Sequence, residues 1–251
     1  MQHAHRSKSY FKIRDQSKNE NYPMHAPSND LRRNAESCRY ALLQRLAPAI
    51  RHQLAGGFQP VTMMTAIIEK RLRAVSPDLQ ALLKTSGDVR ALATASSRTS
   101  LDLMGWIAPD PQARVPFDEA ITHAVHLLAT DLSFRGFRIL SQAEGLTTEV
   151  ALIHVRGVVV AALLALTDAA AKPGQLRVTA SREGQHMVVT ATLTQATDTE
   201  DALTRREELS TSRATYRTID WDDVQAIAAA DGVALNYTAT NATLRLPLSP
   251  A

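Results

Sequence analysis

The chain has a single cysteine, Cys38, in 251 residues. That excludes an internal disulfide framework and any zinc cage built on several thiolates. Aromatic residues make up only 5% of the composition, too few for the strands of an all-β sandwich, and Ala and Leu lead the hydrophobic set, which favours helix. The longest apolar run, VVVAALLAL at 158–166, is less than half of the roughly 20 residues that a membrane-spanning helix needs. The stretch MQHAHRSKSYFKIRDQSKNE lacks the apolar core of a secretory signal, so the expected compartment is the cytoplasm. Glycine is scarce in a telling place: none lies between Gly184 and Gly232. A G-x-S-x-G elbow, a P-loop and a dinucleotide-binding glycine turn are all missing, which removes the usual hydrolase and nucleotide-enzyme signatures.

What is present suffices for a large core, since 45% of the residues are hydrophobic. The net charge of +3 is unevenly spread. Residues 1–33 hold seven Lys/Arg against three Asp/Glu, leaving 21 basic and 22 acidic residues for 34–251. The body is thus close to neutral and has no basic excess of the kind that marks a nucleic-acid-binding domain. Residues 1–33 are polar, poor in aliphatics and carry Pro23 and Pro27, and read as a flexible basic tail. Such a tail is either a plain extension or a docking segment for an anionic partner.

From about Asn34 to Val75 apolar or small residues recur in steps of three and four (Leu43, Leu46, Ile50, Leu54, Gly57, Val61, Met64, Ile68). That spacing predicts one long amphipathic helix, bent at Pro48 and Pro60. Ser76-Pro77-Asp78 breaks it and caps a second helix to Ile107, so 34–108 reads as a helical hairpin. Its apolar stripe must be covered by the rest of the chain or by a second copy, the latter giving a dimeric four-helix bundle. The prolines of APDPQARVPFDEA mark a domain joint. After it, 109–251 reads as α+β: a helix at 117–134, a strand at 138–142, a helix at 149–171, and paired strands at 176–181 and 186–193. A polar loop at 194–218, a helix at 220–230 and two closing strands complete the expected sheet-on-helix sandwich.

This succession, with RHQLAGGFQP on the first helix, VPFDEAITHAVHLLATDLSFRGFRI, VRGVVVAALLALTDAA before PGQLRVTAS, and VQAIAAADGVALNYTATNATLRLPL at the end, resembles the core of a two-component sensor histidine kinase. The resemblance covers about 36–248 and implies a dimerisation and histidine-phosphotransfer hairpin followed by an ATPase-type α/β sandwich. It also shows what the chain has lost. Where the family carries ATP-binding asparagines, this sequence has Ala161, Ala162 and Ala165, and no Asn lies between Asn34 and Asn236. The family's D-x-G-x-G turn is replaced by TQATDTED, in which Asp198 stands without glycines, and 194–218 lacks a glycine-rich lid. Backbone amides cannot approach a triphosphate closely through such a segment.

His52 remains as the candidate catalytic residue. It lies off the stripe, between Ile50 and Leu54, and a neutral exposed imidazole is a nucleophile near neutral pH. The family's acidic neighbour is here Gln53, which cannot serve as a base, and the proline that follows, Pro60, comes later than is usual. The resemblance therefore implies a histidine phosphotransferase, similar to those of phosphorelays. It would exchange phosphate between His52 and the aspartate of a response-regulator receiver domain, without binding ATP. No cofactor is expected on this chain; Mg2+ is expected on the receiver. A sensor kinase is a further possible partner, and a homodimer is expected. The alternative is a non-catalytic pseudokinase scaffold. His123 and His126 share a helix face without a third metal ligand and read as surface residues. His154 reads as structural, Trp106 as a packing anchor at the joint, Arg51 as a solvated charge, and RREELSTSR at 205–213 as loop or docking segment.

Overall fold

The computed structural model describes residues 29–195 and 217–248. Asp198, the 205–213 run and most of the basic tail lie outside the described residues. Helix α1 spans Asn29–Leu72 and therefore takes in five residues that composition assigns to the tail. It runs unbroken through Pro48 and Pro60, although each proline leaves the carbonyl four residues earlier without its helical donor. Helix α2 spans Leu79–Ile107, and Asp78 caps it by accepting the Ala81 amide at 3.0 Å. Pro77 stands one residue ahead of this cap, outside the helix.

The hairpin is held at marked points along its seam. Arg71 donates to the Thr85 hydroxyl at 2.8 Å, and the Ser96 hydroxyl donates to the Gly57 carbonyl at 2.6 Å. Apart from these polar ties the seam is apolar, with Leu82 and Leu103 buried.

Beyond the joint come β1 (Arg114–Pro116), α3 (Phe117–Phe134), β2 (Arg138–Gln142) and β3 (Glu149–Ala151). A single apolar rod follows, made of α4 (Leu152–His154), a π turn (Val155–Val159) and α5 (Val160–Asp168). Then come β4 (Gly174–Glu183), β5 (His186–Gln195), α6 (Trp221–Ala230), β6 (Ala234–Tyr237) and β7 (Asn241–Pro247). The main sheet has the order β2-β4-β5-β7-β6; β2 and β4 are parallel, and every other neighbour is antiparallel. One face presents Leu176, Val178, Met187, Val189, Ala191, Leu244 and Leu246 to the core. The alternate residues, among them Arg177, Thr190 and Arg245, form a polar face, as expected of a sheet covered on one side.

Two local expectations need correction. Residues 149–151 form a strand instead of the start of a helix, because Val150 pairs with Val115 in the small β1-β3 ladder. Tertiary pairing overrides the local helical pattern there. The rod also stops at Asp168, short of 171, since Lys172-Pro173 lies ahead and the residue before a proline disfavours helix.

The tight turns follow from glycine. Gly184 takes positive φ (58°) in the two-residue β4-β5 loop, the first central position of a II′ turn. Gly232 (φ 65°) ends α6, where the Val233 amide reaches back to the Ala228 carbonyl at 2.9 Å, as in a Schellman motif.

The first half of α1 lies on the helical layer of the sandwich, along α6 and α3. Ala35, Cys38, Ala41, Leu42, Leu46, Ala49 and Ile50 are buried, but no residue of α1 after Ile50 is. The molecule therefore has three layers at its base, sheet, helices and hairpin root, while the hairpin tip stands away from the body.

Candidate functional site

Two sets of ion pairs fasten α1 to the α/β domain. Arg45 forms a fork with Asp131 of α3, at 2.9 and 3.3 Å, and lies 3.5 Å from Asp168 at the end of α5. Arg135 closes the ring, 2.7 Å from Asp168 and 3.7 Å from Asp131. Asp168 also accepts the Ile219 amide at 3.0 Å. Burial opposes the charge on Arg45, yet its hydrogen bond to Asp131 and the field of Asp168 hold the guanidinium more firmly protonated than usual. Two turns earlier Arg39 pairs with Asp231, the residue that ends α6. Burial raises the Asp231 pKa while Arg39 opposes that shift.

His52 begins the part of α1 that leaves this clamp. Its side chain is exposed and makes no hydrogen bond or ion pair among the described residues. Its neighbours one helical turn away are Pro48, Ala49, Ala55 and Gly56, none of which carries a long side chain that would cover the ring. Gly56 has open space where a side chain would stand. Gln53 turns the other way: its Nε2 donates to the His126 carbonyl of α3 at 3.2 Å. The Gln53 amide is thus occupied in tying α1 to α3. Arg51 is exposed, and so are His123 and His126. Among the described residues no three potential ligands gather to hold a metal.

The resemblance sets three alanines against nucleotide-binding asparagines. Ala161, Ala162 and Ala165 are enclosed in the core and offer neither a carboxamide nor an open surface. Cys38 is equally unsuited to chemistry: burial, then Asp223, pushes its thiol up to about 11, so the thiolate is scarce at neutral pH. Trp106 packs at the joint beneath Arg156, whose guanidinium carbon lies 5.2 Å from the ring centre.

His154 is half-buried, with its Nδ1 unpartnered among the described residues. Burial, together with the charges of Arg114 and Arg39, lowers its pKa from 6.5 to about 4. The unfolded chain takes up this proton below pH 6.5 and the folded chain only near 4, so stability should fall as pH drops through that window. The full effect is at most about 3 kcal/mol, since the ring is only partly buried. His154→Phe should flatten the dependence of unfolding free energy on pH between 4 and 6.5; identical slopes for the two proteins would count against this assignment.

No protein-family model matches the chain, and no curated protein matches it. Solved structures similar to it include histidine kinases and a phosphotransferase. Histidine kinase AdeS of Acinetobacter baumannii is 13% identical, with 76% of this chain and 98% of that one covered and a TM-score of 0.42. A bacterial phosphotransferase is 16% identical over 89% and 98%, with a TM-score of 0.34. Histidine kinase ThkA, in complex with the response regulator TrrA, is 14% identical over 92% and 69%, with a TM-score of 0.38. Among the described residues no helix is long and apolar enough to cross a membrane.

Proposed function

We propose that this chain is a histidine phosphotransferase of two-component signalling, which takes phosphate at His52 from the aspartyl phosphate of a receiver domain. The observation that carries the reading is the contrast along α1. An open imidazole stands two helical turns beyond Arg45, which with Arg39 locks the root onto the α/β domain. An autokinase must carry its ATP domain to the histidine, whereas this clamp joins the two parts through buried charge and buried apolar residues. A phosphotransferase needs no such swing, because the donor arrives on another protein.

The chemistry suits the residues present. The unprotonated ring nitrogen attacks phosphorus, a P–N bond forms and the bond from phosphorus to the aspartyl oxygen breaks. The receiver's aspartate leaves as a carboxylate, and the ring sheds its other proton to water. Gln53 cannot accept that proton, but an exposed ring does not require it to. The receiver supplies its own Mg2+ to steady the transferred oxygens. Mixing labelled phospho-receivers with the purified chain and locating the label tests the proposal.

The chain is also proposed to work as a homodimer. Phe58, Met63, Leu72, Leu79 and Leu83 on the hairpin are 49–74% exposed; exposed apolar side chains of this kind suit a partner surface, and a second hairpin would complete a four-helix bundle. Light scattering at micromolar concentration should give twice the 27.4 kDa chain mass. A single-chain mass would contradict the bundle, and Leu83→Glu should shift the wild-type dimer towards monomer.

A further inference from the structure

A cavity of about 250 Å³ lies at the root of the hairpin, away from His52. Leu42, Leu43 and Leu46 of α1 form one wall, Trp106 closes the α2 side, and Arg156 and Gly157 of the π turn face them. The lining is mostly apolar, and its volume approaches the roughly 300 Å³ at which ligand pockets begin. π turns within α-helices are frequent at functional sites. Here the turn sets a guanidinium at the cavity wall.

One cation at this cavity is left without an ion-pair partner among the described residues. Arg156 makes no hydrogen bond or ion pair among the described residues, and its Nε is shielded from solvent without a partner. Its one contact of electrostatic character is the face of Trp106. Asp102 acts on it only at a distance, and burial makes its charge harder to hold. Of the other groups nearby, Arg39 and Asp231 are committed to each other, although the Arg39 Nε and the Asp231 Oδ2 are likewise buried without a partner among the described residues. Arg114 and the neutral His154 lie beyond and add no negative charge. A half-buried cation without a counter-ion is costly unless an anion completes it. Gly105 makes the arrangement possible: a side chain there would meet the Arg156 guanidinium at 2.3 Å.

We infer that this cavity binds a small organic anion, a carboxylate on a flat apolar body, with the carboxylate on Arg156 and the body between Trp106 and the α1 leucines. Naphthalene-2-carboxylate and its neutral counterpart 2-naphthamide are suitable probes, read by Trp106 fluorescence in a Trp221→Phe protein. The acid should bind saturably and the amide at least about tenfold more weakly, as expected for losing a charge-assisted contact. Arg156→Gln should abolish that preference. Gly105→Ala, which displaces the guanidinium from a helix that alanine otherwise favours, should weaken the acid without lowering the melting temperature. Equal binding of acid and amide, an unchanged affinity in Arg156→Gln, or no saturation at millimolar acid would overturn the inference. Binding to the apolar hairpin tip would be recognised by its indifference to both substitutions.

Discussion

His52→Gln should abolish transfer of phosphoryl label from every phospho-receiver that labels the wild-type chain, while leaving the melting temperature within a degree or two. The loss should be complete, because glutamine has no nucleophilic nitrogen. Stability should not change, because the ring is exposed and bonds to nothing that the fold needs. His123→Gln and His126→Gln, on the exposed face of α3, should transfer as wild type does. Receiver binding measured beside transfer separates this reading from a non-catalytic scaffold. A scaffold would bind receivers tightly and remain unlabelled, with or without His52.

Asp168→Ala should be among the most destabilising substitutions in the chain. Asp168 is 4% exposed and Arg45 6%, so removing the carboxylate leaves a buried guanidinium with only Asp131. It also strips the Ile219 amide of its acceptor. Breaking one partner of a buried pair costs about 3–5 kcal/mol, and the remaining Asp131 places this case near 3. For a chain of this size that is about 6–12 °C in Tm. The solvent-exposed pair Glu183–Arg245, at 51% and 47% exposure, is the control: Glu183→Gln should cost less than about 1 kcal/mol. A loss below 1 kcal/mol in Asp168→Ala would mean that the ring of charges does not hold α1 to the body. The hairpin root would then be free to move against the α/β domain.

These two residues differ in how far the sequence announces them. The exposure of His52 follows from helical periodicity alone, since the stripe through Ile50 and Leu54 leaves it on the other face. The same periodicity gives the hairpin, and the alternation in HMVVTATL gives β5. The sheet order, with β2 joining β4 in parallel, has no local signal, because it depends on which strands meet after the helices have packed. The three-residue strands β1 and β3 are likewise fixed by each other.

The charge ring has one local signal that helical periodicity does not use. Asp168 ends an otherwise apolar helix at the terminus where the dipole disfavours a negative charge, and such a residue calls for a cation. Periodicity cannot say that the cation is Arg45, 123 positions earlier. Gln53 is similar: its chemistry excludes a base, but its bond to the α3 backbone appears only when the two helices lie together. The cavity beside Trp106 escapes sequence reading altogether, since its walls come from α1, α2 and the π turn, and nothing local marks Arg156 as unpaired.

One paired labelling experiment decides the direction from which phosphate enters. The wild-type chain is incubated in parallel with γ-labelled ATP and Mg2+, and with labelled phospho-receivers from which nucleotide has been removed. An acid-labile, base-stable label should appear at His52 from a receiver and none from ATP alone. Label from ATP without a receiver, or label from receivers at any residue other than His52, would contradict the proposal.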